Sequence, residues 1–269
     1  SKSVEFAITD LPTIAVSDLI IPDDQLSFVY NACSQIPSSL SVVVNPSSVA
    51  SEWSEASAYT VTIAPSYSVV VGSETIDYTD CYTLTEPTDA VNVGTKTIVA
   101  ATTANHFVQA YYTDSEGVTH TKEFKVAAAS LDAEYTITAC TLDLDDAAFS
   151  SSISPSSYTY NGSTTSPTIV VNYTDCEGNA SPLVVESDYT QSISNATGPG
   201  TAVVTLTGKN NFTGTSTISY EIAKASVKDA TFTLNKSTFT FTGSQIKPTI
   251  KTAKISGVTL GSTNYKIVG

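Results

Sequence analysis

One short phrase is written three times along this 269-residue chain. Its plainest copy is Tyr158-Thr159-Tyr160-Asn161-Gly162-Ser163-Thr164-Thr165-Ser166-Pro167. It returns as Phe239-Thr240-Phe241-Thr242-Gly243-Ser244-Gln245-Ile246-Lys247-Pro248, and stands earlier as Phe28-Val29-Tyr30-Asn31-Ala32-Cys33-Ser34-Gln35-Ile36-Pro37. Two aromatics one residue apart lead into a small residue, and a proline follows the second aromatic by 7 residues each time. An echo of this kind means that one supersecondary unit is reused, so the chain has to be read as an array.

The residues between the copies are strand formers. Val4, Phe6 and Ile8 alternate with polar neighbours, as do Ala133, Tyr135 and Ile137, then Ile218, Tyr220 and Ile222. This period of two marks half-buried strands that end each unit. The chain thus opens on the final strand of a preceding unit, residues 1–11. A connector follows each such strand, with Asp18 before Ile21, Asp146 before Phe149 and Asp229 before Phe232. Residues 139–225 show the unit cleanly. Strands are expected near Tyr158–Tyr160, Thr168–Tyr173, Leu183–Val185, Asp188–Ser192, Thr201–Thr207 and Thr215–Ala223, parted by Asn161-Gly162, Glu177-Gly178-Asn179, Pro199-Gly200 and Gly208-Lys209-Asn210. Short strands with turns at this spacing, and no sustained helical period, favour a Greek-key β-sandwich.

Residues 12–138 form an overlong copy. Proline to Asp-Tyr is 40 residues here (Pro37 to Asp77), against 21 from Pro167 to Asp188 and 16 from Pro248 to Asn264. One insertion covers Asn45 to Tyr67. A second follows Asn105-His106-Phe107, the match of Asn210-Asn211-Phe212. It reads as a hairpin, Gln109–Thr113 and Thr121–Val126 around Asp114-Ser115-Glu116-Gly117. The last copy, residues 226–269, lacks counterparts of Gly200–Thr207 and Ile218–Ile222 and reads as the N-terminal part of a further unit.

Composition removes several classes of function. Twelve lysines, no arginine and 26 acidic residues give a net charge of −14, which repels nucleic acid and anionic lipid. No run of eighteen apolar residues is present, so no membrane insertion is expected. The chain starts with Ser1 and shows no leader, as expected of a piece of something larger. Six Asn-X-Ser/Thr sequons, at Asn161, Asn172, Asn179, Asn195, Asn211 and Asn235, carry little weight in so Ser- and Thr-rich a chain. Cys33, Cys81, Cys140 and Cys176 fit no CxxC pattern. Two fall in each of the first two units, so Cys33–Cys81 and Cys140–Cys176 are expected among three full pairings, each closed loop adding roughly 4 kcal/mol. Four free thiols are the alternative.

The chain resembles the bacterial immunoglobulin-like repeat modules of large Gram-positive cell-surface and secreted proteins. The resemblance rests on Tyr160-Asn161-Gly162 through Pro167, Asp188-Tyr189, Gly200-Thr201 and the run Thr205 to Gly214, and in the last copy on Phe241 through Ile250. Residues 12–138 depart from it by their insertions and by Ala32 in place of glycine. The resemblance implies an all-β fold of tandem immunoglobulin-like Greek-key β-sandwiches, on the cell surface or secreted. It implies stalk, spacer or adhesive roles without catalytic residues, with further modules of the same polypeptide and a host or cell-surface ligand as partners.

Site chemistry is sparse. His106 and His120 are the only imidazoles, one at a turn and one on the hairpin, and no HExxH, P-loop or GxSxG occurs, so no enzyme is expected. Asp143, Asp145 and Asp146 offer hard oxygens for calcium, but Asp-Leu-Asp-Asp lacks the Gly and Glu of an EF-hand loop, and alternation sets the first two on one exposed strand face. No other cofactor is indicated. A glycan-binding surface is the alternative role, with Trp53, Tyr59 and Tyr67 on the first insertion and Tyr111 and Tyr112 on the second. The competing use of Trp53 is to anchor the insertion on the sandwich. Lys96 and Lys122 are strand lysines of the type used in Lys–Asn crosslinks, but no partner can be picked for either.

Overall fold

The computed structural model describes residues 11–71, 74–255 and 257–265, so the strand expected over Val4–Ile8 lies outside the described residues. The chain is mostly β and divides into two compact units, 1–138 and 139–269.

The strands of the first unit are β1 (Thr13–Ile14), β2 (Val16–Ile20), β3 (Ser27–Val29), β4 (Ser41–Val44), β5 (Thr62–Ile63), β6 (Tyr67–Val71), β7 (Glu74–Tyr78), β8 (Thr83–Thr85), β9 (Gly94–Thr102), β10 (His106–Thr113), β11 (Thr119–Val126) and β12 (Ala129–Thr138). A single turn of helix, α1 (Pro46–Val49), sits between β4 and β5, capped by the Asn45 side chain. One sheet runs β1-β11-β10-β5-β4-β2 and a second runs β3-β12-β9-β8, and among the described residues β6 pairs only with β7. Both larger sheets turn alternate residues into one core, with Ile14, Val42, Ile63, Val108 and Phe124 from the first and Ile98, Ala100, Tyr135 and Ile137 from the second. The result is sandwich-like.

The second unit holds β13 (Cys140–Thr141), β14 (Phe149–Ser154), β15 (Ser157–Thr159), β16 (Thr168–Thr174), β17 (Ala180–Pro182), β18 (Tyr189–Ser194), β19 (Gly200–Gly208), β20 (Phe212–Thr213) and β21 (Thr215–Ala223). β22 (Ala230–Leu234), β23 (Ile250–Ile255) and β24 (Val258–Thr259) come after these. Its sheets are β14-β16-β17, β15-β21-β19-β18, β13-β20 and β22-β23-β24. Phe149, Tyr173 and Phe212 meet ring to ring at 5.1–5.9 Å in its interior.

The repeated phrase becomes a repeated set of bonds. β3 pairs in parallel with β12 (Phe28 opposite Ile137), and β15 pairs in parallel with β21 (Tyr158 opposite Ile222). The next amide extends the pairing in both copies, Tyr30 N donating to Thr138 O and Tyr160 N to Ala223 O at 2.8 Å. Gly94 faces Ile137 and Gly200 faces Ile222, at φ of 138° and 135°. The hydroxyl of buried Tyr135 donates to Gln35 O at 2.7 Å. That of Tyr220 meets Thr165 Oγ1 at 2.8 Å and Thr165 O at 3.2 Å. Gln35 and Thr165 each stand two residues before the proline of the phrase. Ala32, Gly162 and Gly243 share a left-handed φ of 62°, 80° and 80°, so the alanine occupies a conformation that glycine adopts without cost.

Several expected features shift. Thr83 faces Ala101, which stands as far beyond Gly94 as Thr207, the partner of Thr190, stands beyond Gly200. Strand register therefore equates Thr83 with Thr190, so Cys81-Tyr82 rather than Asp77-Tyr78 matches Asp188-Tyr189. Asp77 and Tyr78 belong instead to the β6–β7 hairpin. The strand expected at Leu183–Val185 lies at Ala180–Pro182, because Asp188 Oδ2 accepts the Val184 amide and Val184 O accepts the amides of Ser187 and Asp188, closing a turn there. The expected insertion hairpin forms as β10 and β11, and the Asp114 carboxylate accepts the amides of Glu116 and Val118. Asp175-Cys176-Glu177-Gly178 repeats that turn between β16 and β17, with amides of Glu177 and Asn179 on Asp175.

Replacing Tyr220 or Tyr135 by Phe leaves a buried carbonyl short of its donor. Each substitution is expected to cost about 1–3 kcal/mol in equilibrium chemical denaturation. A change indistinguishable from zero in both would remove the tyrosine tie as a stabilising element.

Candidate functional site

The first insertion lies against the second. After α1, the amide of Trp53 donates to Val49 O at 2.7 Å, and a 3-10 turn over Ser54–Ala58 delivers Tyr59, whose amide donates to Ala56 O. Val49 and Ala56 are fully buried, so the insertion is pinned by its own small apolar residues. Trp53 then packs on Tyr112 (5.0 Å between ring centres) and Phe124 (6.1 Å) of the inserted hairpin. Tyr112 is sandwiched between Tyr59 at 4.7 Å and His120 at 4.8 Å, both nearly parallel to it. Lys122 Nζ lies 5.6 Å over the Phe124 ring and donates to the Glu52 carbonyl, tying hairpin to insertion a second time.

Three of the five aromatics singled out in the sequence therefore meet: Trp53, Tyr59 and Tyr112. The other two stand apart. Tyr111 points to the opposite face of β10 from buried Tyr112, as strand alternation demands. Tyr67 stacks on Tyr78 at 4.7 Å in the β6–β7 hairpin, and burial pushes its phenol well above the ordinary range, with Glu123 adding to the shift. Trp53 and Tyr59 are each half-buried against the core, so the anchoring use of Trp53 is real and leaves part of both rings at the surface.

The two histidines differ in their partners. His120 Nε2 meets Asp114 Oδ2 at 2.8 Å, and this bond with the Val118 amide holds the Asp114 carboxyl below the usual range. His106 follows Asn105, whose left-handed φ of 62° matches 56° at Asn210. Its Nε2 is buried without a hydrogen-bond partner.

Lys96 is buried on β9 and pairs with Asp89 Oδ2 at 3.2 Å. The amides of Asn92 and Val91 and the Lys96 ammonium hold the Asp89 carboxyl far below its ordinary value. Amide formation between such a pair needs a neutral amine and a protonated carboxyl whose hydroxyl leaves as water, and this site holds the carboxyl in its charged form. The contact is an ion pair that lets a lysine end an otherwise apolar face. It was legible only as a strand lysine, because Asp89 reaches it from a loop.

Asp143, Asp145 and Asp146 do not lie on a strand. They form a turn in which Asp143 Oδ1 accepts the Asp145 amide at 3.0 Å and Asp146 Oδ1 the Ala148 amide at 2.8 Å. The Asp143 and Asp146 carboxylates thus serve the turn's own backbone. Among the described residues no group of three or more His, Cys, Asp or Glu is placed to share a metal ion.

The expected cysteine pairs do not form. Cys33 and Cys176 are disulfide-bonded, whereas Cys81 and Cys140 are free thiols. The reason lies in where each side chain points. Cys33 and Cys176 sit outside the strands, after Ala32 and beside Asp175. Cys81 is inside the first core at 1% exposure, with Sγ 3.9 Å from Phe107 O, and Cys140 lies on β13 opposite Phe212. Burial pushes both free thiols above their ordinary value.

Within the second unit, the Asn161-Gly162 turn meets the chain beyond β21. Tyr160 packs against Ala253, Ile255 and Leu260. A Cβ on Gly162 would run into the Val258 side chain. A cleft of about 600 Å³ opens beside this contact, lined by Tyr160, Pro199, Lys224, Val227, Ile255 and Leu260. Sequence reading gave Tyr160 only a place in the repeat; the signal for its contact role was the small residue held two positions later.

Compared with known proteins, the chain matches no family model, no curated protein and no solved structure.

Thiol counting checks the cysteine assignment. At pH 8 the folded chain is expected to react slowly with iodoacetamide, to show two thiols (Cys81 and Cys140) once denatured, and four only after reduction. A Cys33 or Cys176 peptide alkylated without reductant would overturn it.

Proposed function

We propose that this chain is a non-catalytic, extracellular structural and adhesive stalk segment. In this reading it is built from tandem immunoglobulin-like Greek-key modules over 12–138 and 139–225, with residues 226–269 opening a further one. The observation that carries it is the parallel pairing of an early and a late strand in each unit, β3 with β12 and β15 with β21. Tension applied along the chain draws such strands past one another, so their hydrogen bonds resist together rather than opening one by one. β1 with β11 and β13 with β20 repeat that parallel geometry on the other side of each unit. The disulfide-bonded cysteines suit an oxidising, extracellular setting. Among the described residues no helix is long and apolar enough to cross a membrane.

Glycan binding is a second reading, favoured by the half-exposed Trp53 and Tyr59, which both meet Tyr112. Sugar rings stack on such faces, although here one face of each ring is already used.

Two measurements test these readings. In single-molecule pulling, handles at Ser157 and Ala223 slide β15 along β21, whereas handles at Gly200 and Ile222, opposite residues of β19 and β21, unzip the sheet. The sliding geometry is expected to need the higher force, and equal forces would sink the tension-bearing reading. For the second reading, Trp53 is the only tryptophan. Its emission is expected to shift on titration with soluble polysaccharides, and a flat response together with a blank glycan array would end the glycan reading.

A further inference from the structure

The cleft beside the Asn161-Gly162 turn has the size and the walls of a small-molecule site. Its volume of about 600 Å³ falls inside the range of about 300–1,000 Å³ that such sites occupy. Tyr160, Pro199, Val227, Ile255 and Leu260 give it apolar walls, and Lys224 is the charged side chain among its lining residues.

Three elements fix those walls. The Tyr160 amide donates to Ala223 O, and its ring packs with Ala253, Ile255 and Leu260. The loop between β18 and β19 is anchored where Ala196 O accepts both the amide and the hydroxyl of Thr165, in the same knot that holds Tyr220. Ser226 caps the 3-10 turn Val227–Asp229, its hydroxyl accepting the Lys228 amide at 3.2 Å. A cleft held in this way is formed before a ligand arrives, which lowers the ordering cost of binding.

Electrostatics then select the ligand. Among the described residues no carboxylate pairs with Lys224, whose side chain is exposed at the cleft. Residues 224–265 hold six lysines against one acid, Asp229, in a chain of net charge −14. An anion is therefore drawn to this part of a chain that repels it elsewhere. A second cleft of about 370 Å³, lined by Asn195, Thr197 and Thr201, adjoins the first at Gly198 and Pro199. There the Glu221 carboxylate accepts the Thr201 hydroxyl at 2.5 Å, so that end disfavours a negative group.

We propose that this cleft binds a small amphipathic organic acid, with its apolar ring or chain among Tyr160, Ile255 and Leu260 and its acid group on Lys224. Such a ligand removes apolar surface from water and also pairs the ammonium, whereas a neutral hydrocarbon gains only the first and a bare ion only the second. The site lies in the second unit, while Trp53 belongs to the first. It goes beyond the tension-bearing reading and stands or falls separately, because the pulling comparison probes strand pairing and not a ligand.

Titration of the full chain with anilinonaphthalene sulfonate, a fluorescent amphipathic anion, tests it. A saturable rise and blue shift of emission is expected in the micromolar range, with one dye bound per chain. Decanoate is expected to displace the dye, and decanol to do so at least tenfold less well. Lys224→Gln removes the cation from an exposed position just after β21, and is expected to weaken dye and decanoate binding at least tenfold with circular dichroism unchanged. Val227→Asp sets a carboxylate on a wall residue that is 63% exposed, and is expected to do the same. Binding that either variant leaves intact, displacement by decanol or by inorganic sulfate as readily as by decanoate, or no saturable binding up to about 1 mM would each overturn the proposal.

Discussion

A tyrosine hydroxyl tied to the loop before a proline is the interaction on which each unit depends. Tyr135 and Tyr220 stand on the late strands β12 and β21, and their hydroxyls reach Gln35 and Thr165 at the far end of the repeated phrase. The same loop residues donate their amides to Ala90 and Ala196, so a polar knot is closed at one place in each core. Such a group is costly to bury unless every partner is present, and that cost is what makes the arrangement selective. A register slip of one residue on β12 or β21 would turn the ring outward and leave the loop carbonyl unpaired. The tie thus reads the pairing of early and late strands, which local propensity alone would not specify.

Enlarging the first unit did not disturb this frame. The inserted hairpin joins the sheet that lacks the tie, with β10 taking β5 on one edge and β11 taking β1 beyond it. The other insertion then roofs that sheet through Trp53 and Tyr59, so both additions fall on one side of the core. Their mutual contacts, ring on ring and Lys122 on the Glu52 carbonyl, explain how a segment with little regular structure is held at all. The fastening has a cost: aromatic area used to hold the insertion is no longer free for a ligand.

How much of this was legible in the sequence depended on whether the signal was local. The β10–β11 hairpin was, because Asp114 and Gly117 meet a turn's own chemical needs, and so were the strands flanking Asn161-Gly162. Asp77-Tyr78 misled because the dipeptide repeats at Asp188-Tyr189, whereas the register belongs to Cys81-Tyr82, where only the tyrosine is kept. The cysteines misled for a related reason. Counting by unit treats all four as equivalent, but Cys81 replaces an outward Asp188 with a side chain that packs inward. Of the candidate site, the residue types were readable and their partners were not: Asp89 meets Lys96 from an irregular loop 7 residues earlier, and Tyr78 meets Tyr67 from an unexpected strand.

The phrase that defines the repeat also has a role outside its own core. Its left-handed position must be small for two reasons that coincide at Gly162, the positive φ and the approach of Val258. Because Tyr160 packs on Ile255 and Leu260, the second aromatic of the phrase serves residues beyond β21, while the first, Tyr158, faces Tyr220 on that strand. The two aromatics are one residue apart, and on a strand that spacing sends both rings to the same side, so the strand must end between them for the second ring to reach elsewhere. It does: β15 stops at Thr159, and Asn161 then caps the turn by accepting the Ser163 amide at 3.0 Å. The aromatic, gap, aromatic, Asn, Gly run at 158–162 therefore ends a strand and turns the chain, whereas Tyr30 of the first copy packs against its own core.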